Sequence, residues 1–456
     1  MRRAWRIGGL GCAAMLLLAA TAAFGQADAH VHALLHEASS EMRGTDPRYV
    51  GPGSCSAVAC HGGIQPRSDT KVLQNEYSTW VTADKHAHAY TALTGPLGQQ
   101  MASILKIGPA EKAQKCLVCH ALSVPPAEHA RQFDIAEGVS CESCHGPASQ
   151  WLGPHIQPAA LHAKMVSLGL YDNKNLVLRT EKCLSCHLGT ASASVDHEMI
   201  AAGHPDLTFE LDSFTAVEPP HWIEHAADHK SADADPLFGV RAWAIGEAVE
   251  LRESMLRVSR RAHSGPWPEF SEMDCMTCHH ALTGPQSWRQ QAGYSDRRAG
   301  DPPYNQARYT VFHLFADEID PVTNAELAAE LRKLAKLITA MSPDRATAEA
   351  SANHAAELAQ KMVTEVAAAQ YDHARSERLL RAIAADGDNI AKQGERSAEQ
   401  ATMTVDSLYI AQAKSGGTNA ATRAAIDGLF KLVNNPSAYN GPQFAAQMKK
   451  VRATLQ

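Results

Sequence analysis

Ten of the eleven cysteines fall into five pairs, and each pair is followed at once by a histidine. The units are Cys55/Cys60 with His61, Cys116/Cys119 with His120, Cys141/Cys144 with His145, Cys183/Cys186 with His187, and Cys275/Cys278 with His279. Four units have two residues between the thiols; the first has four, Ser-Ala-Val-Ala. Two thiols one helical turn apart point the same way. Each can bond a vinyl group of a porphyrin, and the next histidine then lies under the ring and ligates the iron. Five disulfides would be the ordinary use of ten cysteines in an oxidising compartment, but disulfides do not require a histidine after every pair. Structural zinc uses such pairs two by two, and five units leave one over. The pattern therefore predicts five covalently attached haem c groups. The wider Cys55–Cys60 spacer predicts a bulged loop between its thiols.

A second histidine on an iron would fill its last coordination position. His86 and His88 lie in Tyr77–Tyr90, which reads as a short helix; they are two apart and so point to different sides, with His86 the favoured ligand. His129 follows the second unit, either as a sixth ligand or as a surface residue. His155 stands ten residues after His145, a reach of about 33 Å if extended, so its own iron and a neighbour's are both accessible. Of His197 and His204, behind the fourth unit, His204 in a Gly-His-Pro turn is preferred. His221, His225 and His229 would share one helix face, to chelate a metal, cap a haem or face water. His280 points away from His279 and is free to serve a neighbouring haem. His162, His313, His354 and His373 read as packed or surface histidines.

Residues 1–25 carry Arg2, Arg3 and Arg6 before an apolar run ending in Ala23-Phe24-Gly25, a cleavable signal peptide by pattern. An uncleaved anchor is the alternative, and membrane contact is expected in that case only. Export to the periplasm suits covalent haem attachment. Without residues 1–25 the chain keeps 39 basic and 49 acidic side chains, a balance of −10. That disfavours nucleic acid and suits redox partner proteins with a basic docking patch. The chain has no G-x-S-x-G elbow, Walker loop or H-E-x-x-H.

The predicted fold class is mainly α: a multihaem cytochrome c domain with little regular sheet over 51–300, after a polar flexible lead-in over 26–50. Only 6% of the residues are aromatic, so buried porphyrin would supply apolar area where large side chains are few. Gly239–Ala262 predicts a long helix, with Val240, Ala244, Ala248, Leu251, Met255 and Val258 recurring at helical steps. From about Asn305 cysteine disappears. Leu327, Leu331, Leu334, Ile338 and Met341 form a stripe with Asn324 as a candidate cap. Further helices at about 371–385, 397–414, 419–433 and 442–454 predict a C-terminal helical bundle over 301–456.

Residues of about 50–210 resemble the tetrahaem cytochrome c-554 family, electron acceptors of hydroxylamine oxidation. The likeness rests on Cys60-His61, the Trp80…His86-Ala segment, Cys141-Glu-Ser-Cys144-His145-Gly146 with His155 beyond it, and Gly203-His204-Pro205. The resemblance implies that His155 caps the iron of His61, His86 that of His145 and His204 that of His187, leaving the iron of His120 five-coordinate. The chain departs from this pattern in its longer first spacer, its fifth unit and its C-terminal segment. The expected function is a periplasmic pentahaem relay of electrons between partners, as a monomer or an oligomer. The alternative is a haem enzyme acting on a small nitrogen or sulfur compound at one five-coordinate iron.

Overall fold

The computed structural model describes residues 46–456 apart from 70, 71, 159, 224–236, 276, 277, 280–303, 341, 417, 418 and 456. The expected signal peptide, most of the lead-in, His225, His229, His280 and Met341 lie outside the described residues. The chain divides at Arg48/Tyr49, and Tyr49–Gln456 forms one compact unit. Its regular structure is helical; two isolated bridges, Tyr49 with His129 and Met273 with Tyr304, are the only β pairings among the described residues.

Up to about residue 170 the helices are short: Glu76–Ala83, Ala89–Thr94, Pro96–Leu105, Gln114–His120, Cys141–His145 and His162–Ser167. Large apolar side chains are few there, and packing is local. Leu93, Ala102, Ala110, Leu117 and Ala121 make one small cluster; Ala148, Trp151 and Met165 make another.

From Leu176 onward a single core takes over. Its axis is the Phe238–His263 helix, which packs along Arg345–Ala368 and touches Leu176–His187 and Glu395–Gly416. The apolar stripe seen in the sequence is only part of its buried surface. Trp243 and Val249, off that stripe, are also fully buried, as expected of a helix enclosed on all sides. Ala348, Ala352, Ala355 and Ala359 on the partner helix are fully buried too, and such small side chains permit close approach. Trp243 Nε1 donates to Thr404 Oγ1 at 3.0 Å, and its ring lies 5.7 Å from that of Phe315. The core thus runs across the change in composition near residue 300.

The C-terminal helices are Pro321–Ile338, Arg345–Ala368, His373–Ala385, Gly387–Lys392, Glu395–Gly416, Ala420–Val433 and Gly441–Thr454. Most start at a side-chain cap, as short polar residues favour. Asp344, Asp372, Asn419 and Asn440 each accept backbone N–H groups of the following turn. Asn324 is not a cap. Asp320 has that role, accepting from Val322 N and Thr323 N at 3.1 Å each. Asn324 lies inside the helix and bridges Tyr309 Oη and the His313 carbonyl.

Two arginines of the Phe238–His263 helix hold the site-bearing loops. Arg257 donates to Glu272 and to the Leu188 carbonyl just after the fourth unit. Arg261 donates to Glu272 and to the Val195 carbonyl ahead of His197. Glu272, in turn, sits three residues before Cys275.

Candidate haem sites

Three of the five units end helices: Gln114–His120, Cys141–His145 and Leu176–His187. The thiols of Cys116/Cys119, Cys141/Cys144 and Cys183/Cys186 are then one turn apart and the histidine closes the helix. Gly146 follows with φ of 75°, where a Cβ would lie 2.5 Å from the Gly169 carbonyl oxygen, so only glycine fits this exit. In the first unit the wider spacer loops out: Cys60 N donates to Ala57 O at 2.8 Å and His61 N to Cys55 O at 3.3 Å. The loop thus brings Cys60 and His61 back beside Cys55.

The fifth unit spans Cys275–His279. Cys275 is in a 3-10 helical turn and Cys278 in a turn, with the two spacer residues between them outside the described residues. Cys278 N donates to Cys275 O at 3.3 Å and His279 N to the same oxygen at 2.9 Å. The first is an i to i+3 contact, which tightens a turn without extending it. Cys278 and Cys275 are both exposed, whereas the thiol residues of the second and fourth units, Cys116, Cys119, Cys183 and Cys186, are half-buried.

The segment Tyr77–Tyr90 is not one helix. It breaks at Asp84, which is extended at φ −85° and ψ 128° and accepts from His86 N at 2.9 Å. The same carboxylate oxygen lies 3.0 Å from His86 Nδ1. Asp84 therefore fixes the ring and leaves Nε2 outward, the arrangement that orients ligating histidines.

Among the described residues, imidazoles come together in four pairs. Ring centroids are 6.2 Å apart for His61 and His155, 6.2 Å for His86 and His187, 6.3 Å for His120 and His204, and 6.4 Å for His197 and His279. An imidazole nitrogen sits about 2 Å from a metal it binds, so two rings sharing one metal have centroids about 6.3 Å apart. All four pairs stand at that spacing.

In five of these rings, His86 included, Nδ1 is engaged in the matching way. His61 Nδ1 lies 2.9 Å from Glu76, His120 Nδ1 3.0 Å from the Ala89 carbonyl and His204 Nδ1 2.7 Å from the Pro205 carbonyl. His155 Nδ1 bonds the Leu152 carbonyl. Burial and the neighbouring His86 hold His187 down to about 4, and burial likewise lowers His120. A lowered proton affinity favours the neutral ring that a metal requires. The ten cysteines are free thiols, half-buried or exposed, with Cys116 and Cys183 packed at the edge of the apolar clusters. The residues present fit haem c.

Two pairings differ from those the resemblance implied. His86 faces His187, not His145, and His204 faces His120, not His187. The His120 site thus gains a second histidine. His155 beside His61 agrees with the implied pairing. His197, the less favoured of its pair, stands against His279. Its backbone N donates to Glu269 Oε1 at 3.0 Å, which also accepts from Ser271 N.

His145 has no ring at this spacing among the described residues. Burial first, then the charges of His221 and His61, hold His145 at about 4. His221 is not on a helix. Its Nδ1 lies 3.1 Å from the Pro219 carbonyl. Glu218 joins Asp84 and His86 in a group whose ligand atoms all lie within 4.8 Å of one another.

His129 is placed otherwise. Its Nε2 lies 2.9 Å from the Val124 carbonyl and its ring stacks on Phe133 at 4.0 Å, so the ligating nitrogen is occupied. His88 is exposed. His162 Nε2 lies 2.8 Å from Asp172.

The carboxylates Glu76, Asp84 and Glu142 were not singled out in the sequence. Glu142, inside the third unit, is 2% exposed and accepts from Val50 N at 2.9 Å, Gly51 N at 2.7 Å and Ala148 N at 2.7 Å. An acid between two haem-type cysteines, and an acid two residues before a histidine, were the available signals.

Residues 55–146, from the first thiol through the third unit, match the family profile of cytochrome c554 and c-prime. The chain is also similar to the C-type polyheme cytochrome OmcC of Geobacter sulfurreducens, 25% identical over 176 residues. The aligned stretch is 36% of this chain and 20% of that relative, so the chain spans about a fifth of its length. No solved structure matches. The repeated thiol–histidine units and these likenesses define a multihaem c-type cytochrome, which carries covalently bound haem c. Its likeness to the c554 and c-prime profile lies in the first three units.

Proposed function

We propose that the chain holds five haem c groups and relays single electrons between redox partners in the periplasm. The observation that carries this reading is the set of four histidine pairs at 6.2–6.4 Å. Two histidines per iron leave no vacant position, which suits electron transfer rather than chemistry on a bound molecule. The haem supplies one-electron chemistry; the chain fixes spacing and tunes each potential through ligand, burial and hydrogen bonding.

The units also stand close to one another. The Cys55 and Cys141 thiols lie near enough to perturb each other's ionisation, as do those of Cys119 and Cys186. Cys144 is within electrostatic range of Cys183 and Cys186. This gives the order first, third, fourth, second, with the His197–His204 segment reaching from the second unit's iron to the fifth's. The acidic balance of the chain supports a partner with a basic face. No helix among the described residues is long and apolar enough to cross a membrane.

His221, Glu218 and Asp84 gathered near the third unit favour a second reading. In it the iron of His145 takes a small nitrogen or sulfur compound, with His221 and Glu218 as proton donors. Intact-mass measurement of the exported protein tests the haem count. Five haems are expected; four would remove one unit, and peptide mapping of Cys55/Cys60 and Cys275/Cys278 would show which. Carbon monoxide titration separates the two readings: a reactive haem supports the second, and none supports the relay.

A further inference from the structure

Three carboxylates meet inside the helical core: Glu210, Glu247 and Glu250, each 1% exposed. Two are matched. Glu250 pairs with Arg308 at 2.9 Å. Glu210 accepts from Asp212 N, Ser213 N and Ser407 Oγ, all at 2.8 Å. Glu247 is not: Oε1 accepts from Gln400 Nε2 at 2.6 Å, while the buried Oε2 has no partner.

The charged and polar groups facing Glu247 are Glu250 on its own helix, Glu210 ahead of Leu211–Val217, Arg308 on Ala307–Thr310 and Gln400 on Glu395–Gly416. Burial and the two neighbouring carboxylates raise its proton affinity far above the ordinary range, against Gln400 and Arg308. A buried carboxylate with an unpartnered oxygen is costly when ionised.

This group is tied to a haem site. The Gln400 amide that donates to Glu247 also donates to the Phe209 carbonyl at 3.1 Å. The Phe209 ring lies 5.6 Å from that of His187. We propose that Glu247 binds and releases one proton in step with the oxidation state at the His86/His187 site. The inference rests on the haem reading above. One electron from an external one-electron donor reduces that site, and one proton from bulk water forms an O–H bond at Glu247 Oε2. Oxidation returns both. The sign follows from electrostatics: an added negative charge across a low-dielectric interior favours the protonated acid. Linkage then requires the midpoint potential to fall as pH rises.

The test is spectroelectrochemical titration of the holoprotein from about pH 5 to about pH 10, with redox-difference infrared spectra on the same samples. One midpoint is expected to fall with pH, by at most about 59 mV per unit for one proton per electron. A carboxylic-acid band shifted by 13C-glutamate is expected in the difference spectrum. Glu247→Gln should abolish both, while Glu377→Gln on the exposed His373–Ala385 helix should retain both. Midpoints independent of pH in the wild type, or an unchanged slope in folded Glu247→Gln, would overturn the proposal. If Glu247→Gln does not fold, the wild-type infrared spectrum decides alone, and lack of the labelled band overturns it. Absence of any low-spin haem would overturn the haem reading, and this proposal with it.

Discussion

His61 and His155 face each other with ring centroids 6.2 Å apart and planes inclined by 11°. One belongs to the first thiol unit and the other follows the third. A shared iron would therefore cross-link two segments that sequence holds far apart, and each such pair is both a ligand set and a tertiary contact.

His155→Met should keep the covalent haem of the first unit and change its axial ligand. Methionine raises the potential relative to histidine. One midpoint should move upward by a resolvable fraction of the roughly 0.8 V that axial ligands span, with the others little changed. Potentiometric titration reads this directly.

Asp84→Asn should loosen His86 without removing it. Loss of such an orienting partner costs about 10–100-fold in metal affinity. The expected result is a growing high-spin fraction at the His86/His187 site in the ferric optical spectrum. Glu76→Gln should act likewise at His61.

Spacing makes the thiol units legible because each unit is local: five to seven residues determine where the thiols and the following histidine point. The Phe238–His263 helix was legible for a similar reason, its apolar residues recurring every three or four positions. The ring pairs are different in kind. His86 meets His187 only because Asp84 halts a helix that propensity would continue, and His204 meets His120 through a turn at Gly203. His129 had the same residue type and a plausible position, yet its Nε2 bonds a carbonyl five residues back. Those outcomes depend on hydrogen bonds between remote segments, which periodicity does not carry.

Glu142→Ala should strand three backbone N–H groups of Val50, Gly51 and Ala148. Unsatisfied buried donors cost about 1–3 kcal/mol each, so a loss of about 3 kcal/mol or more is expected. Glu142→Gln, which still accepts through one oxygen, should lose less. Denaturant midpoints of the holoproteins check both.

Stability should fall in strong acid. Burial alone would raise Glu272, but Arg257 and Arg261 outweigh it and hold its carboxyl at about 2, below its ordinary 4.5. Its folded value is depressed, so its contribution is present above about 4.5 and is lost as pH falls towards 2, about 3 kcal/mol in all. Glu250 acts oppositely: burial, against Arg308, raises it to about 7. Its contribution is full below about 4.5 and declines as pH rises towards 7. Urea unfolding across this range should show Glu272→Gln flattening the acid limb.

Low-temperature EPR of the fully oxidised holoprotein tests the central claim, that most irons in this chain are held between two histidines. Low-spin ferric signals from at least four haems are predicted, with at most one high-spin iron, that of His145. High-spin signals from two or more haems would contradict the pairing of His61 with His155, His86 with His187, His120 with His204 and His197 with His279.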